Sequence, residues 1–316
     1  MSGERRAAID IGTVTCRLLV ADVADGAVSE VVRRQAITHL GAGWAESGEL
    51  SAEGIARVAT AVGEFVREAT ALGATRTVAV ATSAARDARN KGAFLDALEV
   101  AGVRPHIISG EREGYLTFLG VTYSFCEERV LVVDVGGGST ELILGKSCAG
   151  EGGDDIEVES VRSLDIGSRR VTELFLRSDP PTARELDEAA GWIADELRSH
   201  RTVMREHPNE MVAVAGTATS LAAIDLGLEP YDPERVHGYR ICGAALLDML
   251  ENLSAMPERE RRHVIGLEPD RAGVIVGGAL ILQAVMAYAG LSSTLVSEHD
   301  ILYGMVLDPD AAGAPE

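Results

Sequence analysis

Apolar and polar positions divide the chain into short apolar runs of strand length that alternate with longer amphipathic stretches. The run AAIDIGTVTCRLLVAD, from Ala7 to Asp22, predicts two strands joined by a turn at Gly12-Thr13, and Val28 to Ile37 continues as a third strand. Gly41 to Glu49 reads as a Gly-rich loop with one Trp. Ser51 is an N-cap for a helix reaching Leu72, with Ile55, Val58, Ala59, Val62, Phe65 and Val66 on one face. Thr77 to Thr82 predicts a short buried strand, Lys91 to Ala101 a helix, Pro105 to Ser109 a strand and Glu111 to Val121 another helix. The second half opens on VLVVDVGGGSTELILG, Val130 to Gly145, which predicts a hairpin with a tight Gly-rich turn. An acidic loop tip from Ala149 to Glu157 and a returning strand from Val158 to Asp165 follow, then a helical stretch from Ile166 to Leu176. Pro180-Pro181 and Thr182 open a long amphipathic helix to Glu206. Met211 to Ala215 predicts a strand that runs into Gly216-Thr217-Ala218-Thr219 and a helix. Helices are expected over Cys242 to Leu253, Glu258 to Val264 and Asp270 to Gly290, then a strand at Thr294 to Ser297 and a helix from Asp300.

The two hairpins resemble each other. Each reads as apolar strand, Asp, Gly turn, hydroxyl residue, charged residue, apolar strand, with Asp10 and Asp134 in the same place. Taken alone, either is a Gly-rich turn with solvated acids beside it. As an internal duplication they predict a clamp that holds a phosphate chain from two sides. Gly136, Gly137 and Gly138 remove every Cβ from the second turn, so backbone N–H groups can approach an anion closely. Asp134 and Glu141 flank that turn with oxygen donors suited to Mg²⁺ shared with phosphate, and Ser139 and Thr140 add hydroxyls.

Composition narrows the class. The chain has 316 residues, room for two domains, and 46% hydrophobic with 25% charged residues is a globular balance. No Pro/Ser linker or low-complexity tract separates the halves. A net charge of −20 argues against nucleic acid or an anionic membrane as partner, and requires any phosphate site to be built locally. Cys16, Cys126, Cys148 and Cys242 show neither CxxC spacing nor a zinc-type His partner, so free thiols in a reducing cytoplasm are expected. The start MSGERRAAID carries no apolar leader. Ala272 to Leu291 has twenty residues without a charge and meets the length rule for a membrane span. Gln283 at its middle, and Asp270-Arg271 just before it, favour a buried helix of an α/β protein.

At this level of detail the chain resembles the exopolyphosphatase / guanosine pentaphosphate phosphohydrolase (Ppx/GppA) family, in its short two-domain form. The resemblance is carried by AAIDIGTVTCRLLVAD and VVDVGGGSTELILG as the two phosphate motifs, and by ATSAARDARN and ISGEREGYLTFLGV as family-specific blocks. VAVAGTATSLAAI, ERRHVIGLEPDRAGVIVGGALIL and VSEHDILYGMV are similar to its later blocks. It implies two actin-like (ribonuclease H-like) domains, mixed sheets flanked by helices with an interdomain cleft, divided as residues 1–125 and 126–316, with the last helix packing back on the first domain. It also implies an exopolyphosphatase that hydrolyses the terminal phosphoanhydride of inorganic polyphosphate.

The family's catalytic glutamate falls on Glu113, and its arginine after the ATSA strand on Arg86. Phosphate contacts fall on Gly12, Thr13, Gly136, Gly137, Gly138, Ser139, Thr140, Gly216 and Thr217, and metal ligands on Asp10, Asp134 and Glu141. The implied cofactor is Mg²⁺, with another divalent ion or K⁺ as alternatives, and the implied assembly a homodimer. Two departures matter. Val14 stands where the family's DIGTNS has Asn and cannot donate a side-chain hydrogen bond. SEHDILYG replaces the common SGxGLREG. Glu113 is then expected to activate water, with Arg86 stabilising charge on the transferred group. His237 and His299 are read as structural. Guanosine pentaphosphate hydrolysis uses the same parts, and the glycine hairpins alone would also serve a small-molecule kinase or a phosphate sensor. Scattered basic residues and the net charge favour short polyphosphate chains.

Overall fold

The computed structural model describes residues 3–125, 127–148, 155–200 and 207–310. Two compact units divide the chain, Met1–Tyr123 with Asp300–Glu316, and Ser124–His299. The segment from Asp300 thus belongs with the first unit, where a single cut at residue 125 would assign it to the second.

The first unit contains β1 (Glu4–Ile11), β2 (Thr15–Ala24), β3 (Ala27–Ile37), α1 (Trp44–Ser47), α2 (Ala52–Ala71), β4 (Arg76–Ala81), α3 (Ser83–Asp87), α4 (Lys91–Val100), β5 (His106–Ile107) and α5 (Gly110–Thr122). The second contains β6 (Glu127–Val135), β7 (Thr140–Cys148), β8 (Asp155–Leu164), α6 (Ser168–Phe175), α7 (Ala183–Ser199), β9 (Glu210–Val214), α8 (Ala215–Leu226) and α9 (Pro233–Val236). It continues through β10 (Arg240–Cys242), α10 (Gly243–Ala255), α11 (Glu258–Arg261), α12 (Ile275–Ala289) and β11 (Ser293–Val296), and the chain returns to the first unit as α13 (Ile301–Leu307).

The sheet orders are β3-β2-β1-β4-β5 and β8-β7-β6-β9-β11-β10. In each unit an antiparallel three-strand meander is extended by parallel strands beside its first strand. The shared order is the structural form of the duplicated motif, and it is the actin-like (ribonuclease H-like) arrangement expected from the sequence.

Strand periodicity decides which face each functional residue occupies. In the first unit Ile9, Ile11, Cys16, Leu18 and Val20 pack with Val58, Val62 and Phe65 of α2 and Phe94 and Leu98 of α4. The alternate positions, Ala8, Leu19 and Ala21, pack on Leu116 of α5 and on Ile301, Leu302, Met305 and Val306 of α13. Burying each of those larger α13 side chains contributes about 1.5–3 kcal/mol, enough to hold a short helix at the end of the chain. Asp10 and Arg17 fall on this second face by the same alternation. In the second unit Leu131, Val133, Val135, Leu142 and Leu144 pack toward α7, α8, α10 and α12, which leaves Asp134 and Glu141 on the opposite face.

Some expectations are corrected. The strand at Pro105 to Ser109 shrinks to β5 because Ser109 caps α5, its Oγ accepting from Arg112 N at 3.2 Å. The helix over Asp270 to Gly290 is broken into a 3₁₀ turn, Pro269–Arg271, and α12. Cys242 ends β10 and precedes α10. The loop after β3 carries α1. Of the acidic loop tip expected at 149–157, residues 155–157 begin β8, and α7 ends at Ser199 short of the expected Glu206; residues 149–154 and 201–206 lie outside the described residues. α12 is buried on nearly all sides, as expected of a central helix, and among the described residues no helix is long and apolar enough to cross a membrane.

Candidate active site

The register of β6 with β7 puts Asp134 directly opposite Glu141. Directly opposed side chains approach with Cβ atoms about 5 Å apart, and two like charges there destabilise a ladder unless a cation accompanies them. Asp134 is 6% and Glu141 1% exposed, so water does little to screen them. Ser163 Oγ donates to Glu141 Oε1 at 2.7 Å and holds that carboxylate in place. The turn closes with Gly136 N donating to Ser139 O at 3.0 Å. Its carbonyls are held from behind: Ser168 N donates to Gly136 O at 2.9 Å, Arg169 N to Gly137 O at 3.0 Å and Arg170 Nε to Gly138 O at 3.0 Å. The start of α6 reaches this close because Gly167 has no side chain. A Cβ there would lie 2.5 Å from Gly138 C and nearer still to the Gly137 carbonyl. With the carbonyls engaged, the amides of Gly137 and Gly138 donate to no acceptor among the described residues. Consecutive free amides in a concave turn are an anion-binding arrangement.

The first hairpin repeats this construction. Gly12 N donates to Thr15 O at 2.9 Å, the counterpart of the Gly136 bond. Thr38 N and His39 N donate to Val14 O, and Gly41 N donates to Thr13 O, each at 2.9 Å. Gly41 lies against Thr13, where a Cβ would collide with the threonine methyl. The amides of Thr13 and Val14 are left without an acceptor among the described residues. Val14 therefore offers its backbone to an anion although its side chain cannot.

Glu113 sits in the first turns of α5, 8% exposed, with Arg86 Nη1 3.5 Å from its Oε2. The same nitrogen donates to Ile108 O at 3.1 Å, so Arg86 is anchored to the strand end while it faces the carboxylate. Arg86 Nε is also 3.7 Å from Asp87. The two residues expected to do catalysis are thus brought together, by α3 and α5. The axial position of α5 is set by glycines: a Cβ on Gly120 would lie 2.8 Å from Asp300 C, and one on Gly304 2.7 Å from Leu116 C. α13 and α5 therefore touch backbone to backbone.

Asp10, expected as a metal ligand, is engaged otherwise. Arg17 is its cross-strand partner, with Nε and Nη2 3.1 and 2.7 Å from Asp10 Oδ2, and Arg17 Nη1 also donates to Asp300. Burial pushes the Asp10 carboxyl up and the Arg17 charge pulls it down. A guanidinium on the carboxylate leaves Asp10 a poor fit for Mg²⁺. Asp134 and Glu141 fit it better: two buried carboxylates, both oxygen donors, beside free amides. Among the described residues no group of three His, Cys, Asp or Glu lies together.

Other expected contacts serve the scaffold. Thr140 Oγ1 donates to Ile166 O, and Thr217 Oγ1 to Val135 O at 3.3 Å, so both hydroxyls brace the second hairpin. Gly216 is covered by the Arg271 guanidinium, whose Nη2 would be 2.7 Å from a Cβ. Ser139 is 2% exposed and its hydroxyl makes no hydrogen bond among the described residues, which keeps it available to phosphate. His237 and His299 stack with ring centroids 4.4 Å apart. His237 Nδ1 accepts from Glu298 N at 3.2 Å, and Ser124 bonds His299. Residues 38–41, Gly167 to Arg170, Arg17 and Asp300 were missed in the sequence. Only Gly167 carries a local signal, as a lone glycine before a helix.

The Ppx/GppA phosphatase family pattern matches residues 19–308. The chain belongs to that family. Exopolyphosphatase 2 of Mycobacterium tuberculosis is 38% identical over 324 residues, covering 97% of this chain and 99% of that protein. The crystal structure of an exopolyphosphatase-like protein is 32% identical with a TM-score of 0.91, covering 98% of each chain. The Aquifex aeolicus PPX-GPPA enzyme is 32% identical with a TM-score of 0.80, covering 96% of this chain and 99% of that one. As a Ppx/GppA member the chain is a phosphoanhydride hydrolase, the enzyme class expected from its sequence.

Proposed function

We propose that this Ppx/GppA hydrolase is an exopolyphosphatase that releases orthophosphate from the end of inorganic polyphosphate and prefers short chains. The observation that carries the reading is the pair of turns with carbonyls held to the rear and consecutive amides free. Glu113 accepts a proton from water as that water attacks the terminal phosphorus in line. The bond from phosphorus to the bridging oxygen breaks, and that oxygen leaves with the chain one unit shorter. Arg86 stabilises charge on the transferred group. The amides of Thr13 and Val14 in one turn, and of Gly137 and Gly138 with Ser139 in the other, are each suited to bind phosphate oxygens. Asp134 and Glu141 would hold Mg²⁺, which neutralises phosphate charge when bound. The name of the Mycobacterium tuberculosis relative supports the polyphosphate substrate, and the net charge of −20 supports short chains over long polyanions.

The test is phosphate release with Mg²⁺, side by side, from short polyphosphate, polyphosphate of hundreds of units, guanosine pentaphosphate and ATP. Fastest turnover on short polyphosphate is expected. A clear preference for guanosine pentaphosphate would replace the substrate assignment, and phosphate transfer only to an added acceptor would replace hydrolysis with a kinase. Glu113→Gln is expected to abolish release while retaining substrate binding, and near-normal turnover would remove Glu113 from its role. Activity persisting in excess EDTA would remove the metal pair.

A further inference from the structure

The duplicated hairpins differ in charge at one position. Seven residues beyond its aspartate, the second hairpin has Glu141 and the first has Arg17, and each lies directly across the ladder from that aspartate. One hairpin presents two carboxylates, the other a carboxylate with its own guanidinium. Arg17 meets Asp10 with two nitrogens and Asp300 with a third. The three side chains are 17%, 7% and 4% exposed, so this cation is held in a shielded place. Arginine stays protonated in proteins, so its charge depends on neither pH nor metal supply.

We infer that Arg17 is a built-in cation that excludes a divalent ion from the first hairpin, and that Asp300 is the positioning residue that holds it there. Asp300 is placed for this by its other bonds. Its Oδ1 accepts from Leu302 N at 3.0 Å and caps α13, its carbonyl accepts from Gly304 N at 3.2 Å, and its backbone lies against Gly120 of α5. One residue therefore joins the first phosphate turn, through Arg17 and Asp10, to the helix that carries Glu113. Asp300 falls in SEHDILYG, the block that departs from the family's common form. In the first turn the positive charge beside the aspartate is carried by the chain itself. A second divalent ion beside Arg17 would meet a fixed positive charge in a poorly screened site, which is the physical ground for exclusion.

Only the count of ions rests on the reading of Asp134 and Glu141 as metal ligands. The test is Mn²⁺ titration of the whole chain by electron paramagnetic resonance, with thermal unfolding followed with and without Mn²⁺. Wild type is expected to bind one Mn²⁺ per chain, lost in Glu141→Gln and kept in Asp10→Asn. Arg17→Gln leaves Asp10 and Asp300 facing each other and is expected to gain a second, weaker Mn²⁺ and a Mn²⁺-dependent rise in Tm. That gain should vanish in the Arg17→Gln/Asp300→Asn double variant. A wild-type Mn²⁺ that disappears in Asp10→Asn overturns the inference, as does an Arg17→Gln protein that gains nothing. If wild type binds no Mn²⁺, the reading of the second hairpin fails by itself, and the gain in Arg17→Gln still decides this one. If Arg17→Gln folds only with Mn²⁺ present, that is the expected gain; failure to fold in either buffer overturns it.

Discussion

Replacing Gly167 by Ala tests whether the phosphate turn depends on its backing helix. Gly167 has φ −130° and ψ 159°, a backbone conformation open to any residue, so only space opposes the added methyl. That methyl would stand 2.5 Å from Gly138 C, and ordinary contact begins at 3.4 Å. The start of α6 and the turn must therefore separate by about 1 Å. Four hydrogen bonds cross the gap: Ser168 N to Gly136 O at 2.9 Å, Arg169 N and Arg170 N to Gly137 O at 3.0 and 3.2 Å, and Arg170 Nε to Gly138 O at 3.0 Å. Each is worth about 1 kcal/mol net, and overpacking costs about 1–3 kcal/mol, so a loss of about 2–4 kcal/mol is expected after partial relaxation. Activity should suffer more than stability, because displacing a cradle of amides by about 1 Å costs on the order of 100-fold in kcat/KM. The assay is phosphate release from short polyphosphate together with thermal unfolding by circular dichroism. Gly191→Ala in α7 is the control. A Cβ there meets nothing within 4 Å, and the change should add about 0.5–1 kcal/mol of stability with activity unchanged. A folded Gly167→Ala protein with wild-type kcat/KM would refute the reasoning.

Gly304→Ala should be more disruptive, because its Cβ meets Leu116 backbone at 2.7 Å and pushes α13 off α5. A loss of about 3 kcal/mol in urea unfolding, with reduced turnover through displaced Glu113, is expected, and an unchanged midpoint would count against the backbone contact. Hydrogen bonds, from Thr182 N first and then from the Thr182 and Ser178 hydroxyls and Ser178 N, hold the Glu185 carboxyl down at about 2 from its ordinary 4.5. A depressed carboxylate stabilises above its unfolded value and ceases to do so as pH falls through its folded one. The Tm gap between wild type and Glu185→Ala should therefore be full at pH 7 and close between about pH 4.5 and 2; a gap independent of pH removes the charged cap from the account. Burial raises the Cys16 thiol to about 12, while Cys242 is exposed. Native alkylation followed by peptide mapping should modify Cys242 and leave Cys16 intact, and labelling of both at equal rates would contradict the packing of β2.

Local sequence determined a large part of this protein. Alternation of apolar residues with a Gly turn after each aspartate specified both hairpins, and a period of two placed Asp134 and Glu141 on one face once the turn length set the register. The capping pattern at Ser51 and Thr182 marked helix starts where the structure has them. The duplication was visible because it repeats in order along the chain. What tertiary structure decided is the electrostatic character of each hairpin. Asp10 and Asp134 are indistinguishable as letters. One finds Arg17, itself held by Asp300 283 residues away, and the other faces a second carboxylate, Glu141, which Ser163 holds in place. The same holds for the free amides: their availability depends on residues 38–41 and on Gly167 to Arg170 taking up the turn carbonyls, and neither segment adjoins the turn it serves. Thr140 and Thr217 show the limit from the other side, as hydroxyls in a phosphate motif that packing turned to the scaffold. Periodicity and turn chemistry act through a few neighbouring dihedrals, so they can be read in order. The partner of a buried charge depends on which distant backbone can come within 3 Å of it, and that depends on helices such as α5 and α13 touching where both have glycine.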